Sequence, residues 1–506
     1  METFMSEKIH RGKIKTPPDP LVVKYLIAPG IKADIKYRYQ AFLDCNKAHV
    51  LMLAKQKIVT QEVAAAILRC NNELAAMGDG PTFEVDPGRE DFYFNIEAYL
   101  IEHVGIEIGG QQHTARSRND LYATCARLGV RKAYFEICHI YNRMRQAILD
   151  VAAQNTDAVF AGYTHMQPSE PITFAHYCSA VLNAMQRDYR RIAHCYEALN
   201  ICPLGGCSMG STSFNIDRTM TARLLGFDKP VANSIDTVAS RDYALEITSA
   251  LAIASDTLSR LAFDLYIWAT PEYGYIEVDD SCAVCSSIMP QKKNAFTLEH
   301  IKARAGHMHG YLMAMLACMK TIIYSHSKDT SVEATKNLRA AMLEMEGDFV
   351  LTELTVRTMS VKREVMLDHA RRNFCTVTEL ANYLVRHDNI SFREAHEIIA
   401  AVVGNMYDRG LTCAEIDRKA INEVSVPAFG FETKMTDELI REALDPVRIA
   451  EAKKVIGGTA KEEVAHQLDM IEEQLMKDKA VCAQRHEHLA KAKAELDALT
   501  DAMIAA

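Results

Sequence analysis

The sequence predicts an all-α protein, and three observations predict it. Apolar residues recur at spacings of three and four through most of the chain. Strand signals are sparse and scattered. Several central segments are longer and more apolar than one small core needs, as in a helix bundle whose outer faces are covered by other subunits. At 506 residues the chain has room for about three domains.

The elements follow in order. "ADIKYRYQAFLDCNKAHVLMLAKQKIVTQEVAAAILRCNNELAAM" carries helical spacing, with Thr60 ahead of Glu62 as a helix start. "ITFAHYCSAVLNAMQRDYRRIAHCYEAL" runs on without Gly or Pro. "YALEITSALAIASDTLSRLAFDLYIWAT" is apolar nearly all round, as a helix buried among helices is. "TLEHIKARAGHMHGYLMAMLACMKTIIY" reads the same way, with Gly306 and Gly310 expected to allow close contact between neighbouring helices. After the Gly457-Gly458-Thr459 break, "AKEEVAHQLDMIEEQLMKDKAVCAQRHEHLAKAKAELDALTDAMI" turns charged and amphipathic.

Apolar residues make up 49% and charged residues 24% of the chain, a globular profile. A net charge of -9 argues against a nucleic-acid groove, which needs a basic face, but not against a local cationic pocket. Fourteen cysteines without regular spacing do not form a disulfide framework. Cys282 and Cys285 have CxxC spacing but no second pair, so free thiols are expected and no metal. The N-terminus, "METFMSEKIHRGKIK", is charged and lacks the apolar run of a secretion signal. No run is long enough for a membrane span. A cytoplasmic protein without membrane partners is expected.

Four segments invite a chemical reading, and three of them carry it. "GGCSMGS" does not fit a phosphate loop and reads as a tight turn between helices. "HTARSRND", at a helix start, offers an anion backbone N–H groups, the helix dipole and Arg118. "GYTHMQPSEP" offers Thr164, His165 and Gln167 on backbone stiffened by Pro168 and Pro171. "CSSIMPQKKNAF" joins paired hydroxyls to a proline, two lysines and an amide. Anion donors, an imidazole and a hydroxyl-plus-lysine loop suit proton abstraction beside a carboxylate better than hydrolysis.

These residues support a resemblance. "SSIMPQKKN" resembles the Ser-Ser-x-Met-Pro-x-Lys-x-Asn signature of the aspartase/fumarase superfamily. "HTARSRND", "GYTHMQP", "TSFNIDR", "NSIDTVASRDYALE" and "ELANYLVRHDNISFREAHEII" are similar to its argininosuccinate lyase branch. The resemblance implies three helical domains, taken as 1–117, 118–372 and 373–506, with a central bundle that tetramerises and active sites where three subunits meet. It implies β-elimination of fumarate from a succinyl group without any cofactor. Removing the Cβ proton puts two negative charges on one carboxyl group, so fixed donors and cations must await them. On this mapping Ser286 is the base, beside Ser287, and Lys292 and Asn294 bind the charging carboxylate. His165 is oriented by Glu299. Ser117, Arg118, Asn119 and Thr164 grip the succinyl carboxylates. The serine needs backbone N–H groups and cations to stabilise its alkoxide, and the apolar Ile288-Met289-Pro290 suits a loop that closes over substrate.

The departures fall on the leaving-group half. Tyr93 stands in "EDFYFNIE" where relatives usually carry a histidine. In "YSHSKD" Lys328 is kept but His326 replaces the family tyrosine, and the usual glutamine and lysine beyond it fall on Ser331 and Ala334. Tyr93 and His326 are thus expected to line a differently shaped pocket. The expected reaction is fumarate elimination from an N-substituted aspartate, with ethylenediamine-disuccinate (EDDS) the nearest precedent for its substrate. The rivals are argininosuccinate cleavage and, from another class, a non-catalytic crystallin-like structural protein.

Overall fold

The computed structural model describes residues 13, 14 and 16–506. Most of the charged N-terminal stretch, with the expectation that it holds no secretion signal, lies outside the described residues. Five long helices form the central core: Arg118–Gln154, Phe174–Leu199, Asp242–Trp268, Phe296–Met319 and Leu338–Thr358. Tyr134, Leu182, Leu251, Met308 and Phe349 all belong to it. The longest, of 37 residues, rises about 55 Å at 1.5 Å per residue. Ser117 starts it with a reciprocal capping box to Asp120, which occupies otherwise unpaired N–H groups.

A second core gathers Phe42, Ile67, Phe92 and Ile96 from helices Ala28–Lys55, Gln61–Ala76 and Phe92–Val104. Thr60 caps the second of these by accepting from Val63 N–H. A third core holds Leu380, Ile398, Val402 and Ile421. The last helix, Lys461–Ala505, packs elsewhere. Its Val464, Leu468, Ile471 and Leu475 join the central core and its Leu496 the N-terminal one. Residues 373–506 therefore contain two differently packed parts. No described helix is long and apolar enough to cross a membrane.

Strands are few, but one pair was not foreseen. Val159–Thr164 and Gln167–Thr173 form an antiparallel hairpin with an irregularity at Gly162. Pro168 and Pro171 sit in its second strand, which an isolated ladder tolerates because each strand is an edge. A second expectation needs correction. Nothing lies within 4 Å of a Cβ built on Gly306 or Gly310. These glycines seat no helix of their own chain, because they lie on an exposed face of the 296–319 helix. The same helix exposes Met313 and Leu316, and its neighbours expose Phe263, Leu343 and Val350.

One buried ion pair joins the last helix to the bundle. Arg145 is 0% exposed, and its guanidinium donates to Asp478 at 2.8 Å, to Asn142 at 2.9 Å and to Gln186. Removing one partner strands a buried charge, which costs far more than the pair contributes. Asp478→Ala should therefore destabilise the protein by about 3–5 kcal/mol, read as a lowered denaturant midpoint. An unchanged midpoint would show that the last helix is not held by this pair.

Candidate active site

The first part of the site is built at the start of the 118–154 helix. Asp120 is fully buried and accepts N–H bonds from Ser117 at 3.1 Å, Gly205 at 2.8 Å and Cys207 at 3.0 Å. Burial raises its pKa to about 6, against the pull of those N–H groups and Arg116. The "GGCSMGS" segment is the expected tight turn. A Cβ on Gly206 would fall 2.0 Å from Thr237 Oγ1, and Gly205 has a φ of +90°, which favours glycine. Ser117 Oγ accepts from Asn119 N–H at 3.3 Å, and Asn119 Nδ2 donates to the Ser208 carbonyl at 3.1 Å. Arg118 is already held by Asp91 at 2.6 Å and Glu90 at 3.6 Å. That acidic pair was legible in "EDFYFNIE", but its role as the arginine's anchor was not.

The 324–328 segment closes on this cluster. Ser325 Oγ donates to the Met209 thioether Sδ at 3.9 Å, a weak contact with the 205–211 turn. His326 has a buried Nδ1 with no partner. Burial, then Arg241, Lys328 and Arg118, push its pKa down to about 4. Arg241, itself buried, was not anticipated as a neighbour. Lys328 starts a short helix capped by Ser327. Ser331 donates to the Ser327 carbonyl at 2.8 Å and Ala334 is buried, so both are spent within the chain.

Tyr93 does not line an open pocket. It is 0% exposed because the first turn of its helix faces the N-terminal core. Its hydroxyl meets His113 Nδ1 at 2.8 Å, accepts from Arg116 at 3.2 Å and donates to Glu97 at 3.2 Å. From there it acts on a ligand only through those neighbours.

Thr164, His165 and Gln167 occupy the tip of the 159–173 hairpin, all exposed. Thr164 pairs with Gln167, and His165 and Met166 take the two corner positions at φ of 51° and 58°. Positive φ at both central residues is what a two-residue type I′ hairpin turn requires, here adopted by non-glycine residues at some cost in strain. Glu299 is not beside His165 in the chain. It lies in the first turn of the 296–319 helix and accepts from Tyr266 OH at 3.1 Å.

The third part is the 286–292 loop, closed by Val284–Cys285 pairing with Lys293–Asn294. Ser286 Oγ accepts N–H bonds from Met289 at 3.1 Å and Ile288 at 3.4 Å. Ser287, Ile288, Met289 and Lys292 are exposed, while Asn294 is half-buried. The two lysines differ. Lys293 is bound to Asp280 at 2.7 Å and Glu277 at 3.3 Å, whereas Lys292 has no ion partner among the described residues. Expected site residues thus cluster in three places, and no hydrogen bond or ion pair joins these places within the described chain.

Two family models match the sequence: one described as Lyase over residues 32–310, and one described as Argininosuccinate lyase C-terminal over residues 374–451. Argininosuccinate lyase 1 of Shouchella clausii (strain KSM-K16) is 44% identical over 467 residues, 92% of this chain and 94% of the relative. A crystal structure of EDDS lyase with formate is 30% identical and superposes with a TM-score of 0.86 over 97% of both chains. An EDDS lyase variant with bound fumarate matches at a TM-score of 0.85, with the same identity and coverage.

The buried histidines predict acid sensitivity. Burial, then Arg116 and Arg118, lower the His113 pKa to about 3, and burial with Arg116 holds His49 well below its usual range. Unfolded, each titrates near 6.5. Because the folded values are depressed, their stabilisation is complete above about pH 6.5 and is lost as pH falls toward the folded values. The loss is at most about 1.4 kcal/mol per pH unit for each histidine, and less for half-buried His113 and His326, which solvent screens. Asp34, Asp120 and Asp348, raised to about 6 by burial, act with the opposite sign below about pH 6, so the histidine effect is read as a difference. Between about pH 7.5 and pH 5 the unfolding midpoint of the parent should fall more than that of His49→Gln. Parallel profiles for parent and variant would contradict this.

Proposed function

The chain belongs to the argininosuccinate lyase branch of the aspartase/fumarase superfamily and is a fumarate-releasing carbon–nitrogen lyase, and from that premise we propose its chemistry and substrate. Ser286 takes the Cβ proton of a succinyl amine. The electron pair moves into the adjacent carboxylate, which becomes an aci-carboxylate, and then returns to form the double bond of fumarate as the C–N bond breaks. The observation that carries this reading is the pair of N–H bonds to Ser286 Oγ. They stabilise the alkoxide that an ordinary serine cannot maintain at neutral pH. Lys292 and Asn294 meet the charging carboxylate. The departing nitrogen takes its proton from His165 or from a water that it holds.

The active species proposed is a homotetramer with each site shared by three subunits. Three observations support it: the separation of the site segments within the chain, the open Gly306 and Gly310 face, and the exposed apolar residues of the bundle. Glu299 would then serve His165 across a subunit boundary. Ser286→Ala should lose at least about 10² in turnover, and so should Asn119→Ala once substrate is limiting. After dissociation and reassembly together, the two variants should regain activity through hybrid sites. Near-parental turnover in Ser286→Ala would remove it as the base, and a mixture as inactive as its parts would remove the shared site.

For the substrate we propose an N-substituted aspartate whose leaving amine carries a further anionic arm, EDDS being the model compound. Ser331 and Ala334 cannot reach the far end of argininosuccinate, and each polar group left unpaired costs about 1–3 kcal/mol, or roughly tenfold to a hundredfold in discrimination. Arg241 and Lys328, on either side of a neutral His326, offer an anion a cationic setting instead. The competing reading is argininosuccinate itself, favoured by the 44% identity to an enzyme named for it. Following fumarate absorbance across a panel of succinyl amines decides between them. EDDS-type compounds should exceed argininosuccinate in kcat/KM by at least about tenfold, and efficient cleavage of argininosuccinate alone would leave the competing reading standing.

A further inference from the structure

Among the cysteines of this chain, two face each other across the seam between the 118–154 helix and the last helix. Three ties set their register. Arg145 meets Asp478 at 2.8 Å, Gln146 accepts from Lys479 at 2.7 Å, and the rings of Phe135 and His486 lie 5.7 Å apart. As one helix runs forward from 135 to 146, the other runs back from 486 to 478, so they are antiparallel. Cys138 lies one turn on from Phe135, and Cys482 one turn back from His486. The register therefore sets the two thiols opposite each other, close enough for each to bear on the other's titration.

The two differ in access and in charge. Cys138 is 2% exposed, whereas Cys482 is half-buried between exposed Val481 and Ala483. Arg485, within a turn of Cys482, is fixed in place. It donates to the Ala193 carbonyl at 3.1 Å and lies over the Tyr196 ring at 4.2 Å. The Arg485 charge favours ionisation of the Cys482 thiol, while burial pushes the Cys138 thiol well up. A partly exposed thiol beside a cation, backed by a buried thiol, is the arrangement of an attacking and a resolving cysteine.

We propose that Cys138 and Cys482 form a reversible oxidation site, in which a peroxide converts the pair to a disulfide that joins the last helix to the bundle. The Cys482 thiolate attacks one peroxide oxygen. An S–O bond forms, the O–O bond breaks, and the other oxygen leaves as water after protonation. The Cys138 sulfur then attacks the Cys482 sulfenic acid. An S–S bond forms, the S–O bond breaks, and a second water leaves. The two thiols lose two electrons and two protons, and the peroxide is reduced to two waters. Because the last helix also grips the N-terminal core, through Leu496 and the Lys493–Asp44 pair at 3.4 Å, the link would fix that core against the bundle.

The chain contains its own control. Cys45 and Cys125 stand 3.8 Å apart, but both are 0% exposed and beyond reach of peroxide. Cys285 and Cys318 are exposed but have no thiol contact among the described residues, so oxidation there has no internal resolving partner. The test treats the folded, full-length protein with hydrogen peroxide, blocks free thiols and maps the peptides by mass spectrometry. The expected product is a Cys138–Cys482 cross-linked peptide that a dithiol reductant dissolves, with Cys45 and Cys125 still reduced. In Cys138→Ser, Cys482 should instead retain a sulfenic acid trappable by a 1,3-dione, and in Cys482→Ser the buried Cys138 should remain a free thiol. Oxidation confined to Cys285 and Cys318, or over-oxidation of Cys482 in the parent without a cross-link, would overturn the proposal. Circular dichroism of both variants shows that they are folded before either result is read.

Discussion

One buried carboxylate organises the N-terminal half of the site. Asp120 collects N–H bonds from Ser117, Gly205 and Cys207, and so fastens a helix start to a tight turn more than eighty residues downstream. The arrangement opposes the cost of burying an anion with several fixed donors, which is how a buried charged group is tolerated. Its consequence is geometric. Ser117, Arg118 and Asn119 project from a helix terminus whose position is set by a bond network rather than by a mobile loop. Arg118 is further pinned by Asp91 and Glu90. A group proposed to meet carboxylates is thus held in place within the chain itself, and preorganised donors are the ones that favour developing charge.

The other two segments are held differently. His165 rides a hairpin corner at positive φ, a conformation that the surrounding ladder has to impose. The Ser286 loop is closed by a two-residue ladder and by its own N–H groups folding back on the hydroxyl. Its apolar tip stays exposed, with Ile288 82% accessible. That combination suits a segment whose fixed end carries the chemistry and whose free end closes over a ligand.

The long helices were legible because their signal is redundant: many apolar residues repeat one period, and caps such as Thr60 and Ser117 confirm the starts. The hairpin was not legible, since Pro168 and Pro171 argue against a strand wherever a ladder has two neighbours. The chemistry-bearing residue types were legible from their motifs, but their partners were not. Tyr266 beside Glu299, Arg241 beside His326, and the full burial of Tyr93 are products of packing between segments distant in sequence. The open glycine face shows the same limit. Small residues at helical spacing announce a close approach without saying which helix approaches.

The separation of the segments also bears on how such a site diverges. The groups assigned to the succinyl half stand on a capped helix start, a hairpin corner and a closed loop, each stabilised by its own local bonds. The residues proposed to face the leaving amine lie mainly in the 324–334 segment, where Ser331 is bonded back to Ser327 and Ala334 fills a packed position. Changing Ser331 or Ala334 alters contacts that neither Asp120 nor the Ser286 loop depends on. Interactions without shared partners contribute almost independently, so a new amine can be accommodated at little cost to proton abstraction. The contrast between the two adjacent lysines makes the same point at the scale of one loop. Lys293 is fixed in ion pairs that support the ladder, which leaves Lys292 free to meet an anion.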